Sequence, residues 1–349
     1  MQTILVILIT VLLFGILIFI HELGHFLTAR WAKVKINEFA IGMGPAILKK
    51  QGKETLYSLR IFPIGGYVNM EGEDGDDTDE NAFCRKPKWK RFIILVAGAF
   101  NNIVFGFLLT CLVYGLMTGL TLYPTTIVAE FNEKAVSSEH GLQVGDEIYS
   151  VDGYRIYTYT DLSYAFTKNS TKPLDIVVMR NGQKVTLQEI VFPTATSEYS
   201  GDYFTPDFKV YGNQRNVWTT LKYSFNSTVS ISRSIYSFFG SLLTGKANFN
   251  NVSGPVGTTQ VIGEAVATEG GIDFGSLFLM MAMISINLGI VNLFPLPALD
   301  GGRVALLLYE AITRKKVNEK VEMIINGIGF LLLIALMIII TVKDVIKLF

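Results

Sequence analysis

The chain has 349 residues, 50% of them hydrophobic and 17% charged, against roughly 25% charged residues in soluble globular proteins. Its 30 basic and 30 acidic side chains cancel to a formal charge of zero, which argues against a nucleic-acid partner held by a net basic field. The two cysteines, Cys84 in a polar stretch and Cys111 in an apolar run, support neither a disulfide framework nor a cysteine-based zinc site.

Residues 1–20 carry no charge, and the run from Thr3 to Ile20 is long enough to cross about 30 Å of hydrocarbon. The first basic residue is Arg30, so the run lacks the basic start and the cleavage site of a signal peptide. Further apolar runs near 92–117, 274–293 and 323–342 bring the expected spans to four. The 62 residues from Arg30 to Arg91 hold 12 basic side chains, and the 18 from Arg303 to Lys320 hold 5. The 152 residues from Thr121 to Ile272 hold only 11. Because lysine and arginine accumulate on the cytoplasmic side, the first and third loops are expected inside, and the large middle region and both termini outside. The acidic segment 71–80 weighs little in that rule and reads as a solvated loop tip.

Directly at the end of the first span stand His21-Glu22-Leu23-Gly24-His25. Four-residue spacing puts both imidazoles on one helical face, where they can hold one zinc ion with Glu22 beside a metal-bound water. Such groups next to hydrocarbon are costly unless they face a polar cavity and have partners. A catalytic zinc takes three protein ligands and keeps one position open. The third ligand must lie at membrane depth. His140 falls in the outward middle region and is expected on its surface. Asp300, in the segment Asn292-Leu-Phe-Pro-Leu-Pro-Ala-Leu-Asp300-Gly-Gly, follows the third span. Pro295 and Pro297 prevent helix there, and irregular backbone at that depth is tolerated only when it is buried in protein or lines a cavity. Asp300 is therefore the expected third ligand.

Between the second and third spans, TTIVAEF, EIYSVDG, LDIVVMR and KVTLQEIVF alternate as half-buried strands do, with Asn181-Gly182 as a hairpin turn. The segment Asp161–Lys168 has helical spacing and opens on a capping-type aspartate. The stretch Gly141–Gly153 resembles the central signature of PDZ domains, whose groove binds extended peptide by strand addition. Residues 214–243 space Val217, Leu221, Phe225, Ile235, Phe238 and Leu242 as one or two amphipathic helices, which either meet a membrane interface or cover the domain core.

HELGH in the first span, NLFPLPALDGG after the third and a PDZ-like domain between them resemble the site-2 protease family of intramembrane zinc metalloproteases, of the bacterial RseP type. The likeness spans nearly the whole chain. It implies a polytopic α-helical membrane protein of about four transmembrane helices, with a membrane-associated β-hairpin region and an inserted extracytoplasmic α+β PDZ-like domain. The expected organisation is a first span over 1–34, a cytoplasmic loop with the hairpin over 35–91 and a second span over 92–120. A PDZ-like domain follows over 121–195, an amphipathic linker region over 196–272, the third span with the LDG motif and its cytoplasmic loop over 273–322, and the fourth span over 323–349. The resemblance implies peptide-bond hydrolysis in transmembrane segments during regulated intramembrane proteolysis, with zinc on His21, His25 and Asp300 and Glu22 as general base.

Further segments match family landmarks. Residues 39–45, with Gly42 and Gly44, and residues 62–68, with Gly65 and Gly66, look like the hairpin that clamps substrate. Gly98 and Asn102 fit a Gly-xxx-Asn motif, with Ala99 where the family usually has proline. Asn292, with Pro295 and Pro297, corresponds to a substrate-binding element, and residues 253–257 match another landmark. The implied partners are the lipid bilayer, transmembrane substrates such as anti-sigma factors or signal-peptide remnants, and an upstream site-1 protease. The implied location is the bacterial cytoplasmic membrane. The competing readings are a membrane-anchored PDZ adaptor with a relic zinc site, and a metalloprotease that cuts loops beside the membrane.

Overall fold

The computed structural model describes residues 2–73, 79–117, 121–168, 171–197, 201–245, 254–266, 271–315 and 317–346. Residues 74–78 of the acidic segment, and Ser253, lie outside them. Among the described residues, four helices are long and apolar enough to cross a membrane, within Thr3–Trp31, Lys88–Met117, Phe274–Asn292 and Lys320–Ile346. With large apolar side chains such as Leu8, Leu12, Phe100, Leu331 and Ile339 exposed along them, these helices need hydrocarbon rather than water around them. The chain is a polytopic membrane protein, and it divides into two compact units, 1–109 with 253–349, and 110–252.

In the first unit, α1 (Gln2–Trp31) carries the HELGH segment in its last third and ends where Lys33 turns left-handed. Next come β1 (Ile36–Gln51) and β2 (Leu56–Met70), an antiparallel pair. Their register makes the pair more than a simple hairpin. Residues 36–41 pair with 66–70, residues 46–51 pair with 56–60, and 38–41 also run beside 56–59 in the same direction. The resulting order is 46–51, 56–60, 36–41, 66–70, so the segment Gly66–Met70 forms one edge. The sheet packs Ile36, Phe39, Val68 and Met70 against Phe26 and Ala29 of α1, against Ile94 and Leu95 of α2 (Lys88–Leu112), and against Leu307.

The second unit begins in the last turn of α2 and continues through a π-helical turn, Val113–Met117. Its strands are β3 (Leu122–Phe131), β4 (Glu147–Val151), β5 (Tyr154–Arg155), β6 (Leu174–Arg180), β7 (Gln183–Ile190), β8 (Thr194–Ser197), β9 (Gly201–Phe204) and β10 (Phe208–Gln214). They form an antiparallel sheet ordered β10-β3-β4-β6-β7, with β5 on β4 and a separate β8-β9 hairpin. The β6-β7 turn is Asn181-Gly182 with both φ angles positive, as an Asn-Gly hairpin requires. The aspartate of α3 (Tyr159–Lys168) acts differently from expectation. Thr158 is the cap, its hydroxyl accepting the Asp161 N–H while the Asp161 carboxylate accepts the Thr158 N–H, a reciprocal capping box.

The stretch expected as a linker region, 196–272, holds β9, β10, α4 (Val217–Leu243) and α5 (Pro255–Val266). The expected one or two amphipathic helices are a single helix, α4, and its polarity is inverted. It buries Ser224, Ser227, Thr228 and Ser230 and exposes Val217, Trp218, Leu221, Phe225, Val229 and Tyr236. Ser230 and Arg233 bind Asp161, which fastens α4 to the start of α3.

The chain returns to the first unit through α5 and α6 (Phe274–Asn292), then α7 (Asp300–Thr313) and α8 (Glu319–Ile346). Asp344 on α8 accepts the N–H groups of Gly254 (2.7 Å) and Gly257 (2.9 Å). That explains the spacing of the 253–257 landmark: a carboxylate caps the start of α5 where hydrocarbon would leave those donors unpaired. On α7, Arg303 pairs with Glu73, and Glu310 binds Arg91 at 3.4 Å and, through its carbonyl, Lys88 at 2.7 Å. These bonds hold the helix that begins at Asp300 to α2 and to the segment after β2.

Candidate metal centre

His21 and His25 sit one turn apart on α1, each only 8% exposed, with ring centroids 4.9 Å apart. The Nδ1 of His25 lies 2.8 Å from the Ile94 carbonyl oxygen. A carbonyl only accepts, so Nδ1 holds the proton and Nε2 presents its lone pair. The Nδ1 of His21 lies 3.3 Å from the amide of Asn102, a residue with no exposed surface whose Oδ1 lacks a hydrogen-bond partner. The two ends of an amide are distinguished by their hydrogen bonds. The orientation that gives Oδ1 the His21 Nδ1–H leaves both Nε2 atoms as acceptors, the arrangement in which outer-shell partners fix metal-binding imidazoles.

Asp300 completes the group from the first turn of α7. Its Oδ2 lies 3.0 Å from His21 Nε2 and 3.2 Å from His25 Nε2, and the two nitrogens are 3.2 Å apart. This oxygen is buried and makes no regular hydrogen bond. Tetrahedral coordination with bonds of about 2.0 Å spaces ligands by about 3.3 Å. Two neutral imidazoles and one carboxylate at this spacing fit zinc and leave a fourth position open. His140 lies exposed in the second unit, outside the group.

The backbone around the group leaves little slack. Gly98 of α2 faces both imidazoles: a methyl group there would collide with His25 Nε2 and come within 2.8 Å of His21 Nε2 and Cε1. Asn102, one turn on, is held from α6 by the Ser285 hydroxyl, which donates to its carbonyl at 2.7 Å. Both members of the Gly-xxx-Asn motif therefore touch the histidines. In the segment before Asp300, Gly301 packs against the carbonyls of Leu293 and Phe294, and Gly302 against that of Leu296. Asn292 ends α6 half-buried, Pro295 is exposed and Pro297 lies against Gly329 of α8.

Glu22 is half-buried beside His21. A methyl group at Gly66 would approach the Glu22 Cγ to 3.2 Å. The edge segment of the sheet thus passes directly beside this acid. The other three glycines singled out in the hairpin act elsewhere. Gly42, Gly44 and Gly65 have φ near +85° to +90° and pack against Phe62 or Met43, shaping the turns.

A polar cluster absent from the sequence reading braces the same sheet. Glu38 accepts from Ser58 (2.6 Å), Arg60 (2.8 Å) and Tyr67 (2.7 Å), and Arg60 also bonds the Gly44 carbonyl at 2.6 Å. Burial alone would raise the Glu38 carboxyl, but the hydrogen bonds from Ser58, Tyr67 and Arg60 hold it below its ordinary range. The available signal was Glu38, Arg60 and Tyr67 bordering or interrupting the apolar stretches 39–43 and 59–68.

The sequence model of peptidase family M50 matches residues 9–336. A protein of Clostridium acetobutylicum named as a zinc metalloprotease is 38% identical over 340 residues, 97% of each chain. One of Fusobacterium nucleatum with the same description is 38% identical over 343 residues, 98% of this chain and 99% of its own. The regulator of sigma-W protease of Bacillus subtilis is 28% identical over 420 aligned positions, covering 97% of this chain and 98% of its own. The chain belongs to peptidase family M50 and is a multi-pass inner-membrane protein.

Proposed function

We propose that this member of peptidase family M50 is a zinc endopeptidase that hydrolyses peptide bonds inside transmembrane segments during regulated intramembrane proteolysis. The observation that carries the proposal is the triangle of His21 Nε2, His25 Nε2 and Asp300 Oδ2, with sides of 3.0 to 3.2 Å, set on a membrane-spanning helix next to Glu22. His21, His25 and Asp300 would hold the metal. Zinc, when bound, supplies a polarised scissile carbonyl and a water acidic enough to ionise near neutral pH. Glu22 takes the proton of the attacking water on its carboxylate and returns it to the leaving amine nitrogen.

A transmembrane helix hides its carbonyls in internal hydrogen bonds and must unwind before cleavage. The edge segment Gly66–Met70 offers it strand pairing in exchange. This edge lies beside Glu22, so a peptide added there is extended where the chemistry occurs. Gly98 and Asn102 position the imidazoles, while Asn292, Pro295 and Pro297 line the approach to Asp300. The PDZ-like domain of the outward region admits substrates already trimmed by an upstream protease. Single-span proteins of the anti-sigma type and signal-peptide remnants are the proposed substrates, in keeping with the sigma-W regulator named for the Bacillus subtilis relative.

The test is zinc content together with cleavage of a single-span substrate in proteoliposomes. Wild type carries about one zinc per chain and cleaves within the span, Asp300→Ala loses both zinc and cleavage, and Glu22→Gln keeps zinc but loses at least about 100-fold in rate. Zinc-free wild type would sink the enzyme reading and favour the adaptor. Cleavage confined to loops would favour the juxtamembrane protease.

A further inference from the structure

Asn326 is a polar residue in the first third of the fourth span, Lys320–Ile346, and the mechanism above makes no use of it. Polar side chains at that depth are costly and are kept where they satisfy a specific partner. The partner here is the backbone of the segment that delivers Asp300. Asn326 Oδ1 accepts the N–H of Ala298 at 3.3 Å. Ala298 itself has φ +68°, a left-handed conformation that alanine rarely adopts. One turn along α8, Gly329 is buried against Pro297, and a methyl group there would strike Pro297 Cβ and come within 2.9 Å of its carbonyl carbon and oxygen.

We infer that Asn326, supported by Gly329, is a positioning residue for Asp300. The amide holds Ala298 in its left-handed turn, and that turn sets the direction in which the chain enters α7. Asp300 follows two residues later. Strained backbone persists only where its surroundings hold it in place, and in hydrocarbon a freed Ala298 N–H would seek another acceptor. Removing the acceptor lets the turn relax, and Asp300 Oδ2 then drifts from its 3.0 and 3.2 Å separations from the histidine nitrogens. The side chain of Asn326 acts through the backbone and does not itself reach the metal.

This inference rests on Asp300 being a metal ligand, so its test includes an arm for that premise. Full-length protein in detergent is titrated with zinc against a competing chelator, and its cobalt-substituted form is examined by visible absorption, which reports ligand geometry without any substrate. Asn326→Leu, nearly the same size but without an acceptor, is expected to weaken zinc binding roughly tenfold to a hundredfold, as for other outer-shell partners, and to change the cobalt bands. Asn326→Asp keeps an acceptor and is expected to restore both readings. Gly329→Ala perturbs Pro297 from a second direction and is expected to mimic Asn326→Leu. Wild-type affinity and spectrum in Asn326→Leu would overturn the inference, as would equal loss in the leucine and aspartate variants. Unchanged zinc and cobalt binding in Asp300→Ala would instead overturn the metal-ligand reading itself.

Discussion

Replacing Gly98 by alanine separates metal binding from folding. The added methyl group would collide with His25 Nε2 and sit 2.8 Å from His21 Nε2, where ordinary contact begins at 3.4 Å. The His21 ring must therefore move by about 0.6 Å and the His25 ring by more, at least three times the tolerance of about 0.2 Å within which metal–ligand distances fall. Neither ring can yield freely, because His25 is tied to Ile94 and His21 to Asn102. The helix itself gains from the change, since alanine favours a helix interior by up to about 1 kcal/mol over glycine. Gly98→Ala is thus expected to keep or raise the melting temperature of metal-free protein while weakening zinc binding at least about 100-fold, beyond the usual effect of an outer-shell change. Chelator competition and thermal unfolding in EDTA measure the two quantities separately. Wild-type zinc affinity would refute the reasoning, because it would mean that the three donor atoms do not meet where the structure places them. A collapse in metal-free stability would refute it too, by showing that Gly98 is needed for helix packing rather than for the imidazoles.

Three further expectations follow from the same geometry. Helix-breaking residues placed near the cleaved bond of a transmembrane substrate should raise its turnover at equal binding, and an unchanged single-turnover rate would rule out unwinding before strand addition at Gly66–Met70. In the second unit, Asp161 has no exposed side-chain surface and accepts from Tyr157 N–H (2.9 Å), Thr158 N–H (3.1 Å), Ser230 (2.9 Å) and Arg233 (3.1 Å). Asp161→Ala should destabilise this unit by about 3–5 kcal/mol without altering zinc content, and a loss below about 1 kcal/mol in denaturant unfolding would show that the network is not what holds α4. Because Glu38 has a lowered folded-state pKa, its contribution to the sheet is complete above the ordinary carboxylate value and lost as pH falls through the lowered one. Amide exchange over residues 36–70 should therefore quicken on acidification more than in Glu38→Gln, and identical pH profiles in the two proteins would remove Glu38 from the account.

The spans, the pairing of His21 with His25 and the neighbouring Glu22 were legible in the sequence because each is a local property. Hydrophobic length alone crosses a bilayer, and a four-residue step alone puts two side chains on one helical face. Asp300 was reachable by elimination, since few ligand-type residues lie at membrane depth. Tertiary structure decided the rest. The 3.0 and 3.2 Å approach of Asp300 to the histidines depends on how α7 packs against α1 and α2, across 275 residues of chain and more. The same holds for Gly98, which as a residue type carries no chemistry and matters only because α2 presses its backbone against two imidazoles. The sheet tells a similar story: alternation marks strands, but only pairing revealed that 36–41 lies between two neighbours and that one edge, 66–70, runs beside Glu22. Local periodicity is written into the order of residues, whereas convergence of distant atoms is set by packing, in which every helix and strand constrains the others at once.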